Sequence, residues 1–114
     1  MSDDNGQSLR VVLCNAAPHD APRIAKQLVE EGLAACVNVI PGVRSFYVWE
    51  GRMYDDMENT LLIKTTAATL ERLTVRIREI HPYELPEVIG LAVVEGEGEP
   101  RYFAWVRERM SRPG

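Results

Sequence analysis

Three strand-like segments of this chain are apolar at consecutive positions: Val11-Val12-Leu13, Leu61-Leu62-Ile63, and Val88-Ile89 followed by Leu91-Ala92-Val93-Val94. A sheet with one wet face alternates apolar and polar residues, so segments of this kind belong to strands that need cover on both faces. With 114 residues, 46% of them hydrophobic, the chain has room for one small core and is short for two domains.

The remaining elements follow from punctuation and periodicity. Leu9–Ala16 reads as a buried strand that Pro18-His19-Asp20 breaks. Asp20 is placed to cap a helix that tolerates Pro22 in its first turn, carries the stripe Ile24, Ala25, Leu28, Val29 and Leu33, and ends near Gly32. Residues 35–40 form a second strand. Pro41-Gly42 marks a bend or bulge, residues 43–49 continue extended with Phe46, Tyr47 and Trp49, and Glu50-Gly51-Arg52 turns the chain back into residues 53–65. Hairpin arms of that length exceed the usual five or six residues and can reach beyond their own domain.

Leu70, Leu73, Ile77 and Ile80 mark an amphipathic helix, with Thr65 or Thr66 available as its cap. Pro82 disfavours helical dihedrals at His81, so the helix stops near Ile80 and leaves His81 at its carboxyl end, where the macrodipole favours a protonated ring. Residues 88–95 form the last strand, residues 96–98 a loop, and Pro100–Met110 a terminal helix carrying Tyr102, Phe103, Trp105 and Val106.

The order β, α, β, β, α, β predicts an α+β fold, a ferredoxin-like sandwich of a four-stranded antiparallel sheet with two helices on one face, a long hairpin between its second and third strands, and a C-terminal helix. Residues 1–8 are expected as a disordered tail, residues 9–110 as a single domain and residues 111–114 as a C-terminal tail. Since no second pair of helices exists for the open sheet face, copies of the chain are expected to cover it for one another, with the aromatic hairpin arm as an exchanged element.

Charge narrows the function classes. Lys plus Arg number 13 against 17 for Asp plus Glu, a net charge of -4, which argues against nucleic acid. Glu84, Glu87, Glu95, Glu97 and Glu99 thicken toward the C-terminal third, a pattern that suits cations and also suits a solvated surface. The polar, acidic start lacks the features of a secretion signal, and no apolar stretch approaches the roughly 20 residues that span a bilayer. A soluble, cytoplasmic protein without membrane contact is expected, with Cys14 and Cys36 as thiols inside apolar strand runs rather than a disulfide.

His81, Tyr83 and Glu84 gather an imidazole, a phenol and a carboxylate at one backbone break, either as a metal-ligand cluster or as a helix stop whose side chains satisfy local carbonyls. Cys14 offers a soft thiolate for Cu(I), or is a small buried hydrophobe. Lys64 follows an apolar triplet and either reaches solvent or meets an anion in a cleft, while Glu50 and Glu58 flank the hairpin without a partner that the pattern names. No Ser/His/Asp or Cys/His/Asn set has motif context, so no enzyme is expected. RNA-recognition domains share the element order but stack bases on aromatics of the third strand, and residues 58–64 have none.

The segments VVLCNAAP (11–18), LVEEGLAACVNVIPGVRSFYVWEG (28–51), LLIKTT (61–66), HPYELPEVIGLAV (81–93) and YFAWV (102–106), in this order, closely resemble the CutA family of divalent-cation tolerance proteins. The resemblance implies a small cytoplasmic ferredoxin-like protein that forms a homotrimer similar in fold and assembly to PII signalling proteins. It also implies a link to copper tolerance, binding of copper (Cu2+ or Cu+) or other divalent ions, and, in animal members, to acetylcholinesterase anchoring. Carried over by position, the proposed copper ligands are Cys14 and His81, with Ile80 standing where the family's type member has a further histidine. The leading expectation is a non-enzymatic trimer responding to metal ions. The alternative is a PII-like sensor of a small anionic ligand, held by Lys64 and nearby arginines.

Overall fold

The computed structural model describes residues 6–111. Four strands, β1 (Leu9–Ala16), β2 (Cys36–Trp49), β3 (Arg52–Thr66) and β4 (Ile89–Ala92), and three helices, α1 (Ala21–Glu30), α2 (Leu70–Ile80) and α3 (Pro100–Met110), follow in the split order β1-α1-β2-β3-α2-β4-α3. The sheet order is β2-β3-β1-β4 and every pair is antiparallel. Here α1 and α2 are both crossovers that return the chain to the same face. Their apolar stripes, Ile24 and Leu28 on α1 and Leu73 and Ile77 on α2, close with Val12, Cys14, Leu61 and Ile63 into a core with no measurable exposure. A second cluster, Leu9, Ala35 and Val106 with Phe103 and Met110, seats α3 against the Leu9 end of the sheet.

Register assigns the opposite face. Val11 pairs with Leu91, and Leu13 with both Ile89 and Leu62, so these side chains alternate away from the helices. Ile40, Ile89 and Leu91 are exposed there. The consecutive apolar residues of the sequence thus divide into one set that the chain's own helices cover and one set that they do not.

The hairpin is as long as its sequence predicts and contains the bulge: pairing runs to Ile40↔Thr60 and resumes at Val43↔Glu58, with Gly42 at φ +76°. Trp49↔Arg52 closes it over Glu50 and Gly51, both at positive φ, the geometry of a two-residue type I′ turn.

Some local expectations are revised. Asp20 precedes α1, but its carboxylate bonds Arg23 (3.1 Å) instead of capping the helix. A short 3₁₀ turn, Ala67–Thr69, intervenes before α2, and Thr66 meets Thr69 (3.2 Å) rather than a backbone amide. The last strand covers Ile89–Ala92, not residues 88–95: Glu95 Oε2 accepts the N–H of Leu9 at 2.9 Å, and Val93 packs with the Leu9 cluster, so the chain leaves the ladder. Of the residues expected in the N-terminal tail, Gly6 and Ser8 are tied down by carbonyl bonds to the N–H groups of Ala68 (2.9 Å) and Ala67 (2.8 Å). Residues 1–5 and 112–114 of the expected tails lie outside the described residues.

Candidate functional site

The corner after α2 sets up the site. His81 leaves the helix at φ −84°, ψ 135°, as Pro82 requires, while its N–H still bonds Ile77 O at 2.8 Å. Its ring then ties the corner to the end of β1. Nδ1 accepts the N–H of Tyr83 at 3.1 Å, which leaves the ring proton on Nε2, donated to Asn15 O at 2.8 Å. The doubly protonated ring expected from the helix end does not match these partners, because a nitrogen that accepts cannot carry a proton. Fixed this way, Tyr83 lies against the His81 ring (centroids 4.5 Å apart) and donates its hydroxyl to Glu58 Oε2 at 2.6 Å.

Beside this chain of contacts a cleft of about 650 Å³ opens between the hairpin, the end of β1 and the corner. Tyr54, Asp56 and Glu58 recur at every second position of β3, opposite Tyr47, Ser45 and Val43 of β2, so one face of the arm forms a wall. Asp56, Glu58, Glu84 and Glu87 bring four carboxylates to the lining, and Phe46, Tyr47, Trp49, Tyr54 and Tyr83 bring aromatic rings; no Lys, Arg or His lines it among the described residues. Tyr47 and Tyr54 stack at 5.2 Å and 14°. The Tyr47 hydroxyl bonds the Asp56 carboxylate, which pushes its pKa up to about 12. Burial first, and then the hydrogen bond to Glu58, pushes Tyr83 up as well.

Cys14 and His81 converge on the same strand end, since His81 bonds the backbone of the residue that follows Cys14. Neither presents a free donor atom. Cys14 has no exposed surface, and burial, followed by the charges of Glu87 and Glu58, raises its thiol pKa to about 12, so the thiol keeps its proton. His81 is 6% exposed with both ring nitrogens engaged. Among the described residues no group of three or more His, Cys, Asp or Glu side chains is arranged to hold a metal ion. Lys64 lies on the open sheet face, bonded to Asn38, and is not in the cleft lining. His19 is exposed beside Asp20 (3.4 Å).

The family model for CutA1 divalent ion tolerance proteins matches residues 10–109. The chain belongs to that family. The divalent-cation tolerance protein CutA of Thermus thermophilus is 46% identical over 86% of this chain and 94% of its own length. The CutA homolog of Xenopus laevis is 47% identical over 78% of this chain, which spans 59% of that longer protein. Among solved structures, the Thermus thermophilus protein matches with a TM-score of 0.83 at 43% identity, covering 89% of this chain and 97% of that one. A PII-like CutA from Nostoc sp. PCC 7120 in apo form matches with 0.83 at 40% identity, covering 89% and 96%.

In this CutA chain Asp56 is the lining carboxylate that sequence reasoning passed over, while Glu58 stood there without a partner and Glu87 only as one of an acidic run. Their signal was present in part: Tyr54, Asp56 and Glu58 at alternate positions announce one polar-aromatic strand face. Nothing local announces that Tyr83, 25 positions away, closes on it.

Proposed function

We propose that this CutA protein acts in divalent-cation tolerance as a non-enzymatic, cytoplasmic, ferredoxin-like homotrimer that binds and responds to metal ions, copper among them. What carries the reading is the charge of the cleft: four carboxylates line it with no basic side chain in its lining, so its field gathers cations. Family membership supports the tolerance role. The exposed Ile40, Ile89 and Leu91 support assembly through the open sheet face, and unpaired Cys14 and Cys36 suit a reducing compartment. No described helix is long and apolar enough to cross a membrane. A PII-like sensor of an anion would use Lys64 on the open sheet face instead of this cleft, whose carboxylates repel one.

Copper at Cys14 and His81 requires the thiol to lose its proton and the ring to release Asn15 or Tyr83; copper at the cleft carboxylates requires neither. Copper titration of the purified protein by calorimetry, compared with Cys14→Ala, His81→Ala and the double variant Glu58→Gln/Glu87→Gln, tests the assignment. The double variant is expected to lose more affinity than either single one. Loss confined to Cys14→Ala and His81→Ala would return the site to that pair and remove the cleft from the reading.

A further inference from the structure

The cleft is more aromatic than collecting metal ions requires. A hydrated divalent ion gains from carboxylate oxygens and little from ring faces, yet Trp49, Tyr47 and Tyr54 stand on the same arm face as Asp56 and Glu58. Glu58 adds an independent observation. It is 4% exposed, makes no ion pair among the described residues, and spends one oxygen on the neutral Tyr83 hydroxyl. Its other oxygen has no hydrogen-bond partner there, and since no sealed side-chain polar atom of the described residues lacks a partner, that oxygen opens on the cleft. A buried carboxylate without a cation is costly, and aromatic faces beside it attract an alkylated ammonium through the ring quadrupole while shedding its weakly held water.

We propose that the cleft is a binding site for a small organic cation of the alkylated-ammonium class, with Trp49 and Tyr47 as the wall against its alkyl groups, Tyr47 backed by the stacked Tyr54 whose ring already carries the Arg52 guanidinium at 5.5 Å, and Glu58, Asp56 and Glu87 as its counter-charges. Ring faces and carboxylates divide the recognition: the rings add contact with alkyl groups that a hydrated metal ion lacks, and the carboxylates select against neutral molecules of the same shape. A cavity of about 650 Å³ is larger than a tetramethylammonium ion, so the physiological ligand carries its ammonium on a longer body. The inference goes beyond the metal reading and needs no metal.

The experiment is a ligand-observed NMR titration of the assembled protein with tetramethylammonium chloride, against sodium chloride at matched ionic strength and against tert-butyl alcohol as the neutral molecule of the same shape and size. Saturable binding of tetramethylammonium is expected, on the order of millimolar for a ligand of five non-hydrogen atoms, with none for the alcohol. Trp49→Leu and Glu58→Gln should each weaken it about tenfold, whereas Glu71→Gln, outside the cleft, should leave it unchanged. Should Glu58→Gln fail to fold by circular dichroism, Tyr47→Leu takes its place with the same expectation. Absence of saturable binding, equal binding of the alcohol, or wild-type binding by the folded cleft variants overturns the proposal. Copper binding without tetramethylammonium binding leaves the metal reading intact and removes this one; the reverse result does the opposite.

Discussion

Leu61 and Leu62 are neighbours in one strand and stand in two different environments. Leu61 has no exposed surface and is held by the chain's own helices; Leu62 faces the other way, beside Leu13 and among the exposed Ile89 and Leu91. The inner half of the sheet is a finished core, while the open face and the hairpin arm carry large apolar groups, Val48, Met53 and Met57 among them, that this chain leaves in water. The contrast shows that the helix-covered core and the uncovered face draw on separate sets of side chains in the same strands.

The strongest way to break the comparison is to place a charge on the open face. Leu91→Asp is expected to abolish assembly, since a carboxylate buried between copies without a partner costs more than about 4 kcal/mol, while the subunit keeps its secondary structure. Sedimentation velocity with circular dichroism on the same samples checks both halves. Wild-type sedimentation of this variant would mean that the open face is not where copies meet.

Next comes the pair itself. Leu61→Ala should cost about 3–4 kcal/mol in chemical denaturation at every protein concentration. For Leu62→Ala the cost should grow with concentration, as the neighbouring copy's contribution enters by mass action. A concentration-independent loss at Leu62 would place it in the subunit's own core instead.

A smaller effect sharpens the boundary where α3 meets the sheet. Glu95 accepts the Leu9 N–H at 2.9 Å and pairs with Arg107, and these bonds, the first the larger, hold its carboxyl pKa below the ordinary 4.5. A depressed acid pKa contributes stability that is present above the unfolded value and fades as pH falls through the folded one. Glu95→Gln should therefore cost about 1–2 kcal/mol at pH 7, with the difference from wild type shrinking below pH 4.5 in melts taken across that range.

The smallest effect is a gain. Glu50 holds φ +50° in the hairpin turn, a left-handed conformation that glutamate adopts at a cost and asparagine, whose short amide bonds the local backbone, adopts readily. Glu50→Asn should stabilise the arm by about 0.5 kcal/mol, read as a small rise in melting temperature, while an unchanged or lower value would show that the turn is not limiting.

Most of the architecture was legible because it rests on local rules. Helical stripes located α1 and α2, Pro82 located the end of α2, and Pro41-Gly42 located the bulge. What was missed rests on contacts between distant residues. The shortness of β4 depends on Glu95 reaching Leu9, 86 positions away, and the failure of Asp20 as a cap depends on Arg23 claiming its carboxylate. The site was read least well. Cys14 and His81 stood out by residue type, but their surroundings commit the thiol proton and both ring nitrogens. Glu58 and Glu87 looked like surface charge because only the register and the corner together bring them to one cleft.

The bulge has a consequence for chemistry as well as for shape. Between Ile40 and Val43, β2 advances three residues while β3 advances two, so beyond it the odd-numbered residues of β2, Ser45, Tyr47 and Trp49, share a side with Glu58. Were β2 to run on past Ile40↔Thr60 with Gly42 taken into the ladder as an ordinary pair, residue 42 would stand opposite Glu58, and Arg44 opposite Asp56 in place of Ser45. A guanidinium would then stand among the acids and neutralise the cleft from within, so the charge of the cleft hangs on one extra residue in β2 and on the positive φ that Gly42 supplies to hold it outside the ladder.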